Sequence, residues 1–265
     1  MMPNLNLAIN SYNILRQSII IILITLSSVV ALATDYDVLK RKANLFYEQQ
    51  EWLSASAMYT LMLDQHPDIT DTYSHAIIAA SMRNDSLMQA ELLDKAFQNH
   101  IPFDSLYNQV KSLSFNIGKT NLYENFLLRT QISYPWLSRN IDLQLLKYYT
   151  FRRNGNKMEH YALKMLKNIE DKPESIPFRD ALAEAYLLQG RQPEAIDTFK
   201  SIIKLDADNY NAIIELGNCY YTSYLANKEN SQLCKLAQEY LSKAYSLKPT
   251  PFVKQMLESL KTPTK

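Results

Sequence analysis

Apolar residues recur along this chain at intervals of four and three. Ala195, Phe199 and Ile202 follow that spacing, as do Ala237, Leu241 and Ala244, and far upstream Ala55, Tyr59 and Met62. Such spacing puts each triplet on one face of an α-helix. Each is followed five residues later by a stop, at Ala207, Pro249 and Pro67. A companion stripe, Leu182, Ala183, Tyr186 and Leu187, precedes the first of them and ends at Gly190. The pattern predicts helix, turn, helix, turn, with small residues such as Ala183 and Ala195 where paired helices approach.

Two rulers keep the period. Pro67, Pro102, Pro135 and Pro173 lie 35, 33 and 38 residues apart, Ala207 follows after 34 and Pro249 after 42. Proline cannot continue a helix and stands just beyond helix ends. Midway between these stops fall Asn84-Asp85, Gly118, Gly155 and Gly190, where glycine is read as accepting the positive φ of a tight turn. A period in the mid-thirties marks a stacked helical repeat. It predicts units at about 36–69, 70–103, 104–137, 138–175, 176–209 and 210–249, within a repeat region of 34–249. Residues 250–265 form a capping helix and tail, opened by Thr250 as N-cap and Pro251 in the first turn. Unit six carries about eight extra residues between Tyr220 and Ala237, which lengthen its helices or its turn.

The motifs behind this spacing are specific. Leu216-Gly217-Asn218-Cys219-Tyr220 is followed by Ala237, Leu241, Ala244 and Pro249. Unit five has Leu182-Ala183, Tyr186, Ala195, Phe199 and Ile202, and unit one has Lys42-Ala43, Phe46, Ala55, Tyr59 and Pro67. This resembles the tetratricopeptide repeat family. Units two to four, residues 70–174, keep the length and the stops but lose most of the motif; Ala90 and Pro102 are what unit two retains. The resemblance implies an all-α, right-handed superhelical solenoid of about six helix-turn-helix repeats with a C-terminal cap. It also implies a non-catalytic scaffold that binds a partner protein or peptide on the concave face, lined by the first helix of each repeat.

Carried over residue by residue, that face comprises Lys40, Asn44, Tyr47 and Glu48 in unit one, and His75, Met82 and Arg83 in unit two. Unit five adds Asp180, Glu184, Leu187 and Leu188, and unit six adds Asn211, Ile214, Asn218 and Tyr221. The hairpin core is assigned instead to Ala43, Phe46, Gly217 and Tyr220, so these groove residues are expected to be dispensable for folding. Lys243, on the second helix of unit six and so on the convex face, is expected not to matter for partner capture. Lys40 and Asn44 are similar to half of the family's carboxylate clamp, but Ala76, Ser105 and Gln109 stand where its other half needs Asn, Lys and Arg. A clamp for C-terminal peptides is therefore rejected in favour of a mixed apolar and amide groove.

The N-terminus changes the picture of where this happens. Arg16 precedes an apolar run from Ile19 to Leu32, closed by Ala31-Leu32-Ala33. That is the order of a secretory signal peptide over 1–33, with cleavage after Ala33. The alternative is an uncleaved helix, residues 18–33, tethering a subunit of an envelope complex to the inner membrane. Either way the chain is read as exported, periplasmic or secreted, and its Ile, Asn, Lys and Tyr content points to a bacterial source.

Charge and reactive residues exclude more than they offer. Arg16 is the one basic residue of the signal, so the remaining basic residues balance the 27 acidic ones. Residues 34–136 hold 8 basic and 12 acidic groups, residues 137–265 hold 19 and 15. Bulk attraction to nucleic acid is not expected; Arg152, Arg153 and Lys157 around Gly155 make only one cationic turn. None of the four histidines, His66, His75, His100 and His160, has a histidine partner four residues away, four glycines cannot build a phosphate loop, and no Gly-x-Ser-x-Gly elbow occurs. No enzyme activity, cofactor or metal is expected; the remaining alternative is a carbohydrate-binding or enzymatic groove that Tyr47 and Tyr221 begin to line. Cys219 and Cys234 flank the turn of unit six, and either a disulfide or two packed thiols suits that spacing. Asp85-Ser86-Leu87 and Asp104-Ser105-Leu106 resemble the O-glycosylation acceptor of Bacteroidetes; helix N-caps explain both equally well.

Overall fold

In a computed structural model of the chain, residues 36–167, 169 and 172–261 are described. The stretch read from sequence as a signal peptide, residues 1–33, lies outside them, as does the end of the tail. The described residues form thirteen α-helices and no strand. They are α1 (36–48), α2 (Trp52–Gln65), α3 (Thr70–Met82), α4 (Ser86–Gln98), α5 (Phe103–Asn116) and α6 (Asn121–Ser133), then α7 (Ser138–Phe151), α8 (Gly155–Leu166), α9 (Ile176–Leu188), α10 (Gln192–Leu205), α11 (Tyr210–Ala226), α12 (Ser231–Leu247) and α13 (Pro251–Lys261). They follow one another in packed consecutive pairs, an all-α helical repeat. Two fall in each predicted unit, and α13 follows the last.

In the first five pairs the turn inside the pair has a common construction. One residue adopts positive φ at Gln50, Asn84, Gly118, Arg153 and Gly190, at steps of 34, 34, 35 and 37. Around each, two amides return to the last carbonyls of the first helix. Gln50 N–H donates to Tyr47 O and Glu51 N–H to Phe46 O; Gly190 and Arg191 repeat the pattern onto Leu187 and Tyr186. This left-handed cap satisfies carbonyls that the helix end leaves free. Glycine fills only two of the five places, at Gly118 and Gly190. Gly155 does not have the positive φ expected of it; Arg153 takes that conformation instead. Gly155 is needed for proximity, since a Cβ there would lie 3.0 Å from the carbonyl oxygen of Ala185 on α9.

Five helix starts are fixed by side chains. Asp85, Asn154, Asn209 and Asn230 accept amide bonds from the first turns of α4, α8, α11 and α12. Thr250 does the same for α13, with Val253 N at 3.3 Å from its Oγ1. Asp104 is no N-cap: it lies inside the first turn of α5, and its Oδ1 accepts from the adjacent Ser105 N–H. The extra residues of unit six lengthen both helices, to 17 residues each against 12–14 for α2 to α10.

The chain divides into two compact units, one ending at Ser133 and one starting at Tyr134. The break falls at the short 3-10 turn Pro135–Leu137. In the second unit, Ala183, Ala195, Phe199, Leu216, Leu241 and Val253 belong to one buried cluster. The motif's small residues sit at its tightest contacts. A Cβ on Gly217 would come within 2.8 Å of Leu241 Cδ2 and 3.3 Å of its backbone nitrogen. In the first unit, Ala43, Ala55, Tyr59 and Tyr73 are buried, joined by Ala76, Ile77, Ile78, Ala79 and Ala80 of α3.

Units two and four show why the motif fades. The small residue four places after the cap of the second helix is Ala55 in α2 and Ala195 in α10, both fully buried. In α4 that place holds Gln89, buried, and in α8 Met158, fully buried. Ala90, the residue that resembled the motif in unit two, is exposed. Larger side chains hold these pairs, and the alanine is off the contact.

Candidate functional site

A groove of about 730 Å³ crosses the first helices of the three pairs in the second unit. Leu143, Lys147 and Thr150 come from α7, Asp180, Glu184 and Leu187 from α9, and Asn211 and Glu215 from α11. Both triplets have the spacing four and three, which stacks them along one helix face. Phe178, Ala181 and Leu188 add apolar wall, and Phe199 closes it from α10. The volume is in the range of specific ligand sites, and the mixture of apolar wall with a few fixed polar groups is typical of them.

The polar groups are positioned by each other. Asn211 Nδ2 donates to Asp180 Oδ2 at 2.7 Å, tying α11 to α9. Asp180 Oδ1 is shielded from solvent and accepts no hydrogen bond. Burial raises the Asp180 pKa, against the lowering effect of the Asn211 bond. Glu215 is raised too, first by burial and then by the charges of Asp180 and Glu184, while a bond from Asn218 opposes this. Arg153 Nη1 stands 3.8 Å from Glu184 Oε1 at the rim. Lys147, also of the rim, is exposed.

Of the residues named from the family resemblance, Asp180, Glu184, Leu187 and Asn211 thus line one groove. Leu188 joins them, and Asn218 acts beside it through Glu215. Tyr221 lies elsewhere: its hydroxyl pairs with Ser259 Oγ of α13 at 2.9 Å. The α7 stripe was missed, as were Phe178 and Glu215. The signal for α7 was present in the four-and-three spacing of Leu143, Lys147 and Thr150, which repeats that of α9.

The first-unit candidates also come together, but as packing. Tyr47 makes edge contacts with Trp52 at 5.2 Å, His75 at 5.0 Å and Tyr59 at 6.3 Å between ring centroids. Its hydroxyl is buried without a partner, and burial pushes its pKa up to about 12. Tyr59 donates to Asn44 Oδ1 at 3.3 Å. His75 Nδ1 lies 2.9 Å from the backbone oxygen of Asp71 and 3.3 Å from its carboxylate. Burial works against a charge on His75, but the bonds to Asp71 outweigh it and raise its pKa. Lys40, which faces this pair electrostatically, is exposed, and Met82 ends α3 half-buried. The expectation that Tyr47 contributes nothing to folding is therefore corrected: a large ring wedged against three others is part of the packing. Lys243, on α12, donates through its Nζ to Ala207 O at 2.6 Å and lies 3.4 Å from Asp208 Oδ1.

Cys219 and Cys234 are free thiols. Burial raises the Cys219 pKa to about 11, which keeps it protonated at neutral pH. Among the described residues, no group of three or more His, Cys, Asp or Glu side chains is placed to hold a metal ion. Nor is any described helix long and apolar enough to cross a membrane.

The geometry defines a class: an all-α array of helix pairs with a groove on the first-helix side of its second unit. No protein-family model matches the chain, and no curated protein matches it. Its structure is similar to the C-terminal part of a TPR repeat-containing protein from Cytophaga hutchinsonii, at 12% identity, 78% coverage of each chain and a TM-score of 0.47. It is similar to a tetratricopeptide repeat protein from Parabacteroides merdae at 14% identity, covering 86% of this chain and 84% of that one, with a TM-score of 0.42. A third, a TPR repeats protein from Bacteroides fragilis, is 15% identical over 85% of this chain and 97% of that one, with a TM-score of 0.37. At this level the likenesses bear on no individual residue, and the site is read from its own geometry.

Proposed function

We propose that this protein is a non-catalytic interaction scaffold of tetratricopeptide type, which takes a segment of a partner protein into the groove over α7, α9 and α11. The observation that carries the reading is the groove itself. Three successive first helices contribute one stripe each, so a bound segment touches several repeats at once. Its apolar walls supply burial, worth about 25 cal/mol per Å², and its amide and carboxylate groups supply orientation. The export reading of residues 1–33 goes with this proposal and places the scaffold in the bacterial envelope, facing the periplasm.

Site-directed photocrosslinking tests it. A photoreactive residue at Leu187, in full-length protein expressed in its native cells, is expected to yield a discrete covalent adduct with another protein. The same residue at Lys235, exposed on α12, is expected to yield none. Equal labelling from both positions, or none from Leu187, overturns the groove as the binding surface.

A further inference from the structure

The groove is unbalanced in charge. Three carboxylates, Asp180, Glu184 and Glu215, meet two cations, Lys147 and Arg153. Arg153 is engaged with Glu184 at the rim. Neither Asp180 nor Glu215 has a cationic partner among the described residues; each is bonded only by a neutral amide, from Asn211 and Asn218. One oxygen of Asp180 is left with no partner at all. Taking a carboxylate out of water without a counter-charge is unfavourable, and burial accordingly raises both acids' pKa values. Asn211 and Asn218 hold the two acids in place but leave their charge uncompensated. Around them lie Leu143, Leu187 and Phe178, surfaces suited to an alkyl chain.

Building on the scaffold reading, we propose that the occupant of this groove is an apolar peptide segment carrying one lysine or arginine, whose cation is received between Asp180 and Glu215. The stem of such a side chain packs on the apolar wall while its charged end reaches the carboxylates. The two carboxylates that line the groove then engage the cation through charge-assisted interactions, stronger than the neutral hydrogen bonds already present. Lys147 and Arg153 at the rim disfavour a second positive charge, so the segment is apolar on either side of its single cation. This is the reverse of a carboxylate clamp: the protein supplies the acid and the partner supplies the base.

Selection from a random peptide library displayed on phage, against the full chain, tests this. The selected sequences are expected to share one lysine or arginine between apolar residues. The affinity of a selected synthetic peptide, measured by fluorescence anisotropy, is expected to fall about tenfold when its basic residue is replaced by norleucine. In the Asp180→Asn/Glu215→Gln variant, which keeps shape and removes charge, that replacement is expected to change affinity by less than about twofold. Selected sequences without a basic residue, or a norleucine peptide that binds the wild type equally well, overturn the cation anchor. Leu187→Arg, which fills the groove, separates this from failure of the scaffold reading. If Leu187→Arg abolishes binding of such non-basic peptides, the groove stands and only the anchor fails; if it leaves them bound, the groove fails. A library that yields no binder overturns both.

Discussion

The two compact units place the same stripe of residues to opposite use. Lys40, Asn44 and Tyr47 on α1 have the spacing of Asp180, Glu184 and Leu187 on α9. In the first unit the Tyr47 end of the stripe is packed: Tyr47 lies against Trp52, Tyr59 and His75, while Lys40 and Asn44 stay exposed and Asn44 accepts from Tyr59. In the second it stays open as a groove, with a carboxylate lacking part of its bonding. Repeat position is therefore not enough to make a binding residue. Side-chain size and the nearest ring on the next helix decide whether a position packs or waits for a ligand.

The largest expected effect tests that contrast directly. Tyr47→Ala removes a half-buried ring with three aromatic neighbours and is expected to destabilise by about 2 kcal/mol, below the 3–5 kcal/mol of a fully buried aromatic. Leu187→Ala at the equivalent place, facing the groove, is expected to cost under about 1 kcal/mol. Tyr47→Phe keeps the ring and removes the unpartnered hydroxyl, so it is expected to be neutral or stabilising. Denaturant unfolding of the full chain measures all three. Equal losses for Tyr47→Ala and Leu187→Ala would break the comparison.

A smaller effect separates the units by pH. The His75 pKa is raised above the ordinary 6.5. Its contribution is fully present below 6.5 and is lost as pH rises through the raised value. The melting-temperature gap between wild type and His75→Gln is expected to be wider at pH 5.5 than at pH 8.5. Asp180 has the opposite consequence at neutral pH. Its pKa is raised from 3.8, so the folded state prefers the protonated acid, and stability falls as pH rises from 3.8 through the raised value. Asp180→Asn is therefore expected to be at least as stable as wild type at pH 7, and to lose that relative advantage near pH 3.5. A destabilised Asp180→Asn at pH 7 would show that the acid serves the fold.

The pair boundaries were legible because their causes are local. Proline stops, Asp and Asn caps and left-handed turns act over a few residues, so Pro67, Asp85 and Gly190 report on helices without knowledge of neighbours. Gly155 was misread because glycine answers two needs, positive φ or close approach, and only the position of Ala185 tells which. Half of the groove was legible through motif position on α9 and α11. The α7 stripe was not, because Met158 replaces the small contact residue of its pair and hides the register. Tyr47 was misplaced for a related reason. Whether a tyrosine on a helix face meets solvent or rings depends on Trp52 and His75, whose approach the helical period does not encode.

The smallest expected effect compares the turns of the two units. Gln50 and Gly190 occupy the same place in their pairs, at φ 60° and 74°, and the amides after them make the same returns to the preceding helix. A residue with a Cβ in this conformation costs about 1–2 kcal/mol relative to the right-handed region, a strain glycine does not feel. Gln50→Gly removes it, but also gives the unfolded chain more freedom, which takes back about 0.4–1 kcal/mol. The net expectation is a stabilisation of a few tenths to about 1 kcal/mol. Gly190→Ala runs the other way: no heavy atom lies within 4 Å of the Cβ it would gain, so only the φ strain counts against it. Set against the unfolded-chain freedom that alanine removes, the net expectation is a destabilisation of a few tenths to about 1 kcal/mol. Opposite signs for the two variants in parallel urea titrations would show that both turns are one device. If Gln50→Gly destabilises, the glutamine side chain does something at this turn that its backbone geometry does not require.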